Sequence, residues 1–185
     1  MSDLVPLTGE PLALDLVNTR PSAGDLLATP EDLLAWWALE VDRLPDEVPQ
    51  EVTAADLAAV RAVRERAARA LDQVRRGDEP SAADLEALNQ AQRAAPAISE
   101  LTWNGSAVVA TRRRDGSPGL RLAASLAEAA AELLADPAVA RIRECEADDC
   151  VMLFLPAHPR RRWCSAARCG NRVRVARHYQ RHKAG

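Results

Sequence analysis

All four cysteines of the 185-residue chain lie in one stretch, Cys145-Glu-Ala-Asp-Asp-Cys150 and Cys164-Ser-Ala-Ala-Arg-Cys169, two C-x4-C pairs separated by thirteen residues. Two thiolates joined by a short turn can share one metal ion, and two such pairs complete the four-sulfur tetrahedron that structural zinc prefers. Two other fates compete. Disulfides would need an oxidising compartment, which nothing in the sequence marks. Idle buried thiols would leave the paired spacing a coincidence. A rival donor set, His178-Tyr-Gln-Arg-His182, puts two imidazoles one helical turn apart, but only eight residues separate it from Cys169 where a two-Cys, two-His finger has about twelve. Choosing the histidines would also strand Cys145 and Cys150. The spacing therefore predicts a structural Zn2+ held by Cys145, Cys150, Cys164 and Cys169. Such a site is coordinatively closed, which argues for structure over catalysis.

The residues around the sulfurs indicate what holds them. Residues 141–144 and 151–155 read as short strands around the first pair, 156–159 as a loop, and Cys169 onward as a helix. This is a treble-clef-like arrangement, with one pair in a hairpin knuckle and the other at a helix start. So small a unit has little apolar surface, and metal binding would supply folding free energy on the order of 10 kcal/mol. With the terminal helix laid out at about 100° per residue, Asn171, Arg174, Arg177, His178, Arg181 and His182 share one face, and Arg172, Val175, Ala176 and Tyr179 fall opposite. The first face has no acids and suits phosphates or a major groove. Arg160, Arg161 and Arg162 in the loop would add backbone contacts. Asn171 and Arg174 are of the residue types that read base edges bidentately. Arg172 is expected to hold the finger together, against Trp163 or an acidic group. Gly170 would permit close packing beside the metal.

These residues carry a resemblance. Arg161-Arg-Trp-Cys-Ser165 followed by Cys169-Gly170-Asn171-Arg172 is similar to the CGNR zinc finger. Leu12-Ala-Leu-Asp-Leu-Val-Asn-Thr19 resembles the opening signature of the ABATE domain, which precedes that finger. Together the two would cover nearly the whole chain. The resemblance implies a bacterial, stress-induced transcription regulator whose finger binds nucleic acid.

Charge is divided along the chain in the same sense. Residues 141–185 hold eleven basic and four acidic side chains, residues 1–140 thirteen and twenty-three, and past Pro159 there are nine basic residues and no acid. A basic module on an acidic body is the electrostatic pattern of a nucleic-acid binder with a separate sensing or associating part. The bland alternative is a solvated basic tail lying on the acidic body. Abundant alanine, leucine and arginine with few aromatics predict a mainly α chain. The expected organisation is a helical domain with a small β-hairpin over residues 1–138, then the finger over 139–185. No run approaches the roughly 20 apolar residues of a membrane span. The N-terminus has no apparent signal peptide, so a cytoplasmic location is expected.

Within the body, Leu12–Thr19 predicts a short buried helix. Asp15 and Asn18, with Trp36, are candidates to line a ligand pocket, although such polar groups more often bridge neighbouring backbone. Thr29-Pro30 opens a helix carrying Trp36 and Trp37, which cannot share one helix face. Thr53-Ala-Ala-Asp56 and Ser81-Ala-Ala-Asp84 predict two further helix caps of the same kind. The long helix between them buries Leu57, Val60, Val63 or Arg64, Ala67 and Leu71, with its other arginines solvated. Asn104-Gly105 predicts a hairpin with positive φ at both turn residues, packed on helices or on another strand. Asp115-Gly116 and Pro118-Gly119 are expected to close the strand region before a helix from about Leu122 to Ala135.

Three function classes remain at this stage. The finger could bind DNA in a transcription regulator, bind RNA, or dock on acidic proteins. A small-molecule effector and a homo-oligomer would both suit the body. An enzyme is not expected: there is no Gly-rich phosphate loop, no Cys–His pair free of the metal site, and no acid–base constellation around Glu10 and Asp15.

Overall fold

Thr29 and Thr53 each accept the N–H of an aspartate three residues on, and each aspartate accepts the threonine's N–H in return. These two capping boxes start α2 (Pro30–Leu39) and α3 (Ala54–Arg75). The computed structural model describes residues 5–183, without the side chains of Arg177 and residues 180–183. The remaining helices are α1 (Leu12–Val17), α4 (Ala82–Ala94), α5 (Pro118–Ala135) and α6 (Asn171–Lys183), with a ribbon β1–β2 (Ile98–Trp103, Val108–Arg113) and a hairpin β3–β4 (Arg143–Glu144, Leu153–Phe154). The chain is mainly α with a small hairpin and a C-terminal four-cysteine finger.

Helices α3 and α5 pack along each other, with α1 and α4 against them. Leu14, Leu16, Trp36, Trp37, Val60, Ala67, Leu71 and Leu126 are all buried there. Adjacent Trp36 and Trp37 are both core residues without exposed surface. Among the described residues, no helix is long and apolar enough to cross a membrane.

Several local expectations need correction, each because a distant partner intervenes. Ser81 makes no side-chain cap on α4, since Asp84 instead binds Arg66 and Arg69 of α3. Where the stripe left Val63 or Arg64 open, both are buried, and the Arg64 guanidinium forks onto Asp25 at 2.6 and 2.7 Å. That hydrogen bonding holds the Asp25 carboxyl down at about 2. Helix α5 begins at Pro118, a turn earlier than expected, with Ser117 as its cap. Asp56 accepts from the Ser117 hydroxyl at 2.5 Å and the Gly119 N–H at 3.0 Å, joining the starts of α3 and α5. A Cβ on Gly119 would lie 2.2 Å from the Asp56 Cβ and 2.3 Å from its Cα, so the glycine is there for close approach.

The β1–β2 turn also differs. Trp103 pairs with Val108, leaving a four-residue loop in which Gly105 has positive φ and Asn104 does not. The Asn104 side chain accepts from the Ser106 and Ala107 N–H groups, which removes the need for a two-residue turn. Every ribbon residue is exposed, so the ribbon does not pack on helices as expected.

Candidate metal centre and nucleic-acid interface

The β3–β4 hairpin brings Cys145 and Cys150 to one end of the finger, where the Cys145 N–H donates to the Met152 carbonyl. Asp149 takes a positive φ of 60° to turn the chain inside this knuckle. The second pair is set by a wide π turn, Ala166–Gly170, whose N-cap Ser165 accepts from the Arg168 N–H. Cys169 leaves that turn just ahead of α6. All four cysteines are free thiols, and their sulfurs lie within 4.8 Å of one another.

The sulfur spacing tests the fit to zinc. Zn–S bonds of about 2.3 Å in a tetrahedron put neighbouring sulfurs about 3.8 Å apart. Here Cys150–Cys164 is 3.8 Å, and Cys164–Cys169 and Cys169–Cys150 are each 3.6 Å. Protonation chemistry points the same way. Burial, together with the neighbouring sulfurs, pushes the Cys150 thiol up to about 11 and raises Cys164 further. Burial also opposes ionisation of Cys145, but N–H groups of Cys164 and Ala147 outweigh it and bring that thiol below its ordinary value. Four sulfurs this close resist becoming thiolates together unless a cation offsets their charge. A structural Zn2+ fits the set, and no histidine of the described residues joins it.

The finger is fastened to the body through the residues considered for a ligand pocket. Asn18 is buried and pairs with one strand residue twice: its Nδ2 donates to the Leu153 carbonyl at 2.8 Å and its Oδ1 accepts the Leu153 N–H at 2.9 Å. Asp15 accepts from the Gly9 and Glu10 N–H groups and pairs with Arg43 at 2.6 Å. Glu10 then reaches the finger, taking the Leu155 N–H at 2.9 Å and the Arg161 guanidinium at 2.5 Å. The expected pocket is therefore corrected. Asp15 and Trp36 have no exposed surface, and Asn18 alone reaches the wall of a cavity of about 620 Å³ beside Cys150. The Asp15 and Asn18 side chains bridge backbone, because a buried amide or carboxylate needs its partners satisfied, whereas the Trp36 indole N–H has no partner among the described residues.

Behind Asp15 sits a second buried acid. Arg43 spans Asp15 and Glu40, at 2.6 and 2.8 Å. Burial raises both carboxyls, and the neighbouring Asp15 charge helps push Glu40 up to about 7.

The basic residues separate into two groups. Arg161 is half-buried: it donates to the Trp163 and Cys164 carbonyls, stacks 4.4 Å over the Phe154 ring and pairs with Glu10. It is a bracket between finger and body, so its expected place among phosphate contacts is corrected. Arg162 pairs with Glu146 on the surface. Arg172 does hold the finger together, but through the Asp148 carbonyl at 2.9 Å and the Cys169 sulfur at 3.8 Å instead of Trp163 or an acid. Arg174 donates to the Gly170 carbonyl and to Asn171 Oδ1 at 2.8 Å, so these two candidates for base readout are joined to each other. Arg160, Arg168, Asn171, Arg174 and His178 are exposed. Arg177 and Arg181 fall on side chains outside the described residues. Among the described residues, no carboxylate pairs with Arg160, Arg168, Arg172 or Arg174. Arg168, which lies between the second pair of cysteines, was not among the expected contacts; helical periodicity cannot reach a residue in a turn.

The side of α6 opposite the basic face is not buried at Val175 and Tyr179. Val175 and Tyr179 are 53% and 70% exposed, and Val173 is the α6 residue packed on the cysteine cluster. A Cβ on Gly170 would meet Trp163 at 3.4 Å, an ordinary contact, so close approach does not require this glycine.

Comparison with known families fits this architecture. Residues 10–137 match the ABATE family, described as "Putative stress-induced transcription regulator". The chain belongs to that family. Residues 141–182 match the CGNR zinc finger, which covers all four cysteines and nearly all of α6. No curated protein matches the chain.

Proposed function

We propose that this ABATE–CGNR protein is a zinc-dependent transcription regulator of the cytoplasm, without enzymatic activity, whose finger binds duplex DNA. One observation carries the reading: the π turn and α6 present Arg168 and Arg174 with no carboxylate partner among the described residues, on a segment that has no acid after Pro159. Exposed guanidinium groups of this kind displace condensed counterions from a polyanion. Zinc fixes the start of α6 through Cys164 and Cys169. The Asn18 and Glu10 contacts fix the finger on the body, so the basic helix has a defined origin. Asn171 and Arg174 supply amide and guanidinium groups suited to adenine and guanine edges once they release each other.

The test is anisotropy titration of the zinc-loaded full chain with random duplex DNA, single-stranded DNA and structured RNA over a salt series. The reading expects duplex preference and a steep fall of affinity with salt. Arg168→Ala and Arg174→Ala should each reduce the log–log salt slope by about 1 with zinc content unchanged. A preference for RNA would move the finger to the RNA-binding class. Salt-independent binding, or none to any of the three, would refute nucleic-acid recognition.

A further inference from the structure

The β1–β2 ribbon leaves a strip of apolar side chains in water. Ser99, Leu101 and Trp103 point to one face, and their cross-strand partners Arg112, Ala110 and Val108 point to the same face. Leu101 is 67% exposed, and Trp103 and Val108 are each 65% exposed. Among the described residues each strand pairs only with the other. The ribbon is held at its base, where Arg112 and Arg114 bind Glu128 of α5 and Arg114 donates to the Ala95 carbonyl at 2.6 Å. Its far end is anchored by neither contact. A bare two-stranded ribbon is marginal in water, and tryptophan, leucine and valine in line on one face favour a partner surface over solvent.

We infer that this strip is a homodimer interface, in which the Leu101–Trp103–Val108–Ala110 face of one chain stacks on the same face of a second copy. Charge decides against a polyanion here. The ribbon's arginines are already paired within the chain, Arg112 and Arg114 with Glu128 and Arg113 with Glu100 at 2.6 Å, so the strip carries no free positive charge. What remains is uncharged and self-complementary, as an isologous two-fold contact requires. Area sets the strength. From the exposures above, each strip presents apolar surface on the order of 450 Å². Two copies then bury about 900 Å² of it, and the flanking Ser99 and Arg112 bring the contact to the low end of specific interfaces, about 1,200 Å². A contact of that size belongs to the weak, reversible class of interfaces. It would give the protein two basic helices for one duplex.

Sedimentation equilibrium of the zinc-loaded full chain from about 1 to about 100 μM, a range suited to an interface this small, tests the inference. The wild type should pass from one-chain to two-chain mass. Leu101→Glu and Val108→Glu put like charges opposite each other across the axis and should hold the one-chain mass throughout. Thr111→Lys, on the opposite ribbon face and directly across from Glu100, should dimerise like the wild type. Because every substituted residue is exposed, circular dichroism and zinc content should be unchanged in all three variants. A wild type that stays monomeric at the highest concentration overturns the inference, even if nucleic acid or another protein proves to cover the strip. So does a Leu101→Glu or Val108→Glu variant that still dimerises, or loss of the dimer in Thr111→Lys.

Discussion

Replacing Asn18 with alanine tests whether the finger is built onto the body or merely tethered to it. The amide takes both polar groups of Leu153, at 2.8 and 2.9 Å, in a position only 3% exposed. It acts as one rung of a strand beside β4. Truncation leaves a buried N–H and a buried carbonyl without partners, and each orphaned group costs about 1–3 kcal/mol. Partial access of water to the adjoining cavity would relieve some of this, so a loss of about 2–4 kcal/mol is expected. Asn18→Asp should be at least as damaging, because a carboxylate would face the Leu153 carbonyl without a hydrogen to donate. Urea unfolding of the zinc-loaded chain measures the loss, and amide exchange at Leu153 localises it. A loss below about 0.5 kcal/mol with Leu153 still protected would refute the claim that this amide carries the junction.

Other consequences follow from single contacts. Gly119→Ala puts a methyl group against the Asp56 backbone at 2.3 Å, where no flexible side chain can yield, so it should destabilise the body by more than about 3 kcal/mol, read as a lowered thermal midpoint. Glu40 ionises near 7 in the fold against an ordinary 4.5, so the folded state resists losing this proton and its advantage shrinks as pH rises through that window. Relative to Glu40→Gln, the wild type should therefore lose about 1 kcal/mol of stability between roughly pH 6 and pH 8, measured as urea midpoints; parallel profiles would remove Glu40 from the account.

The sequence was most legible where chemistry is local. Ligand spacing depends on a few bonds around each cysteine pair, and the Thr29 and Thr53 caps close within four residues, Asp56 keeping its cap while also accepting from Ser117. Ser81 shows the limit: its motif matches that of Thr53, but Arg66 and Arg69 lie on a neighbouring helix and draw Asp84 away. Asp15 and Asn18 stood out as polar residues in an apolar helix. Their purpose was hidden because Leu153 lies 135 residues beyond Asn18. Pro118-Gly119 imitates a turn, and only the approach of Asp56 shows why a helix begins there with a glycine. Periodicity laid the α6 residues out in faces, but it could not show that Val175 and Tyr179 stand in solvent while Val173 packs on the cysteine cluster.

The central claim is that one metal ion held by four sulfurs organises the part of the protein that meets its partner. Zinc content of freshly purified, reduced protein tests it most directly. The account predicts one zinc per chain in the wild type and almost none in Cys164→Ala; a wild type without bound metal, or a Cys164→Ala variant that retains a full equivalent, would contradict it.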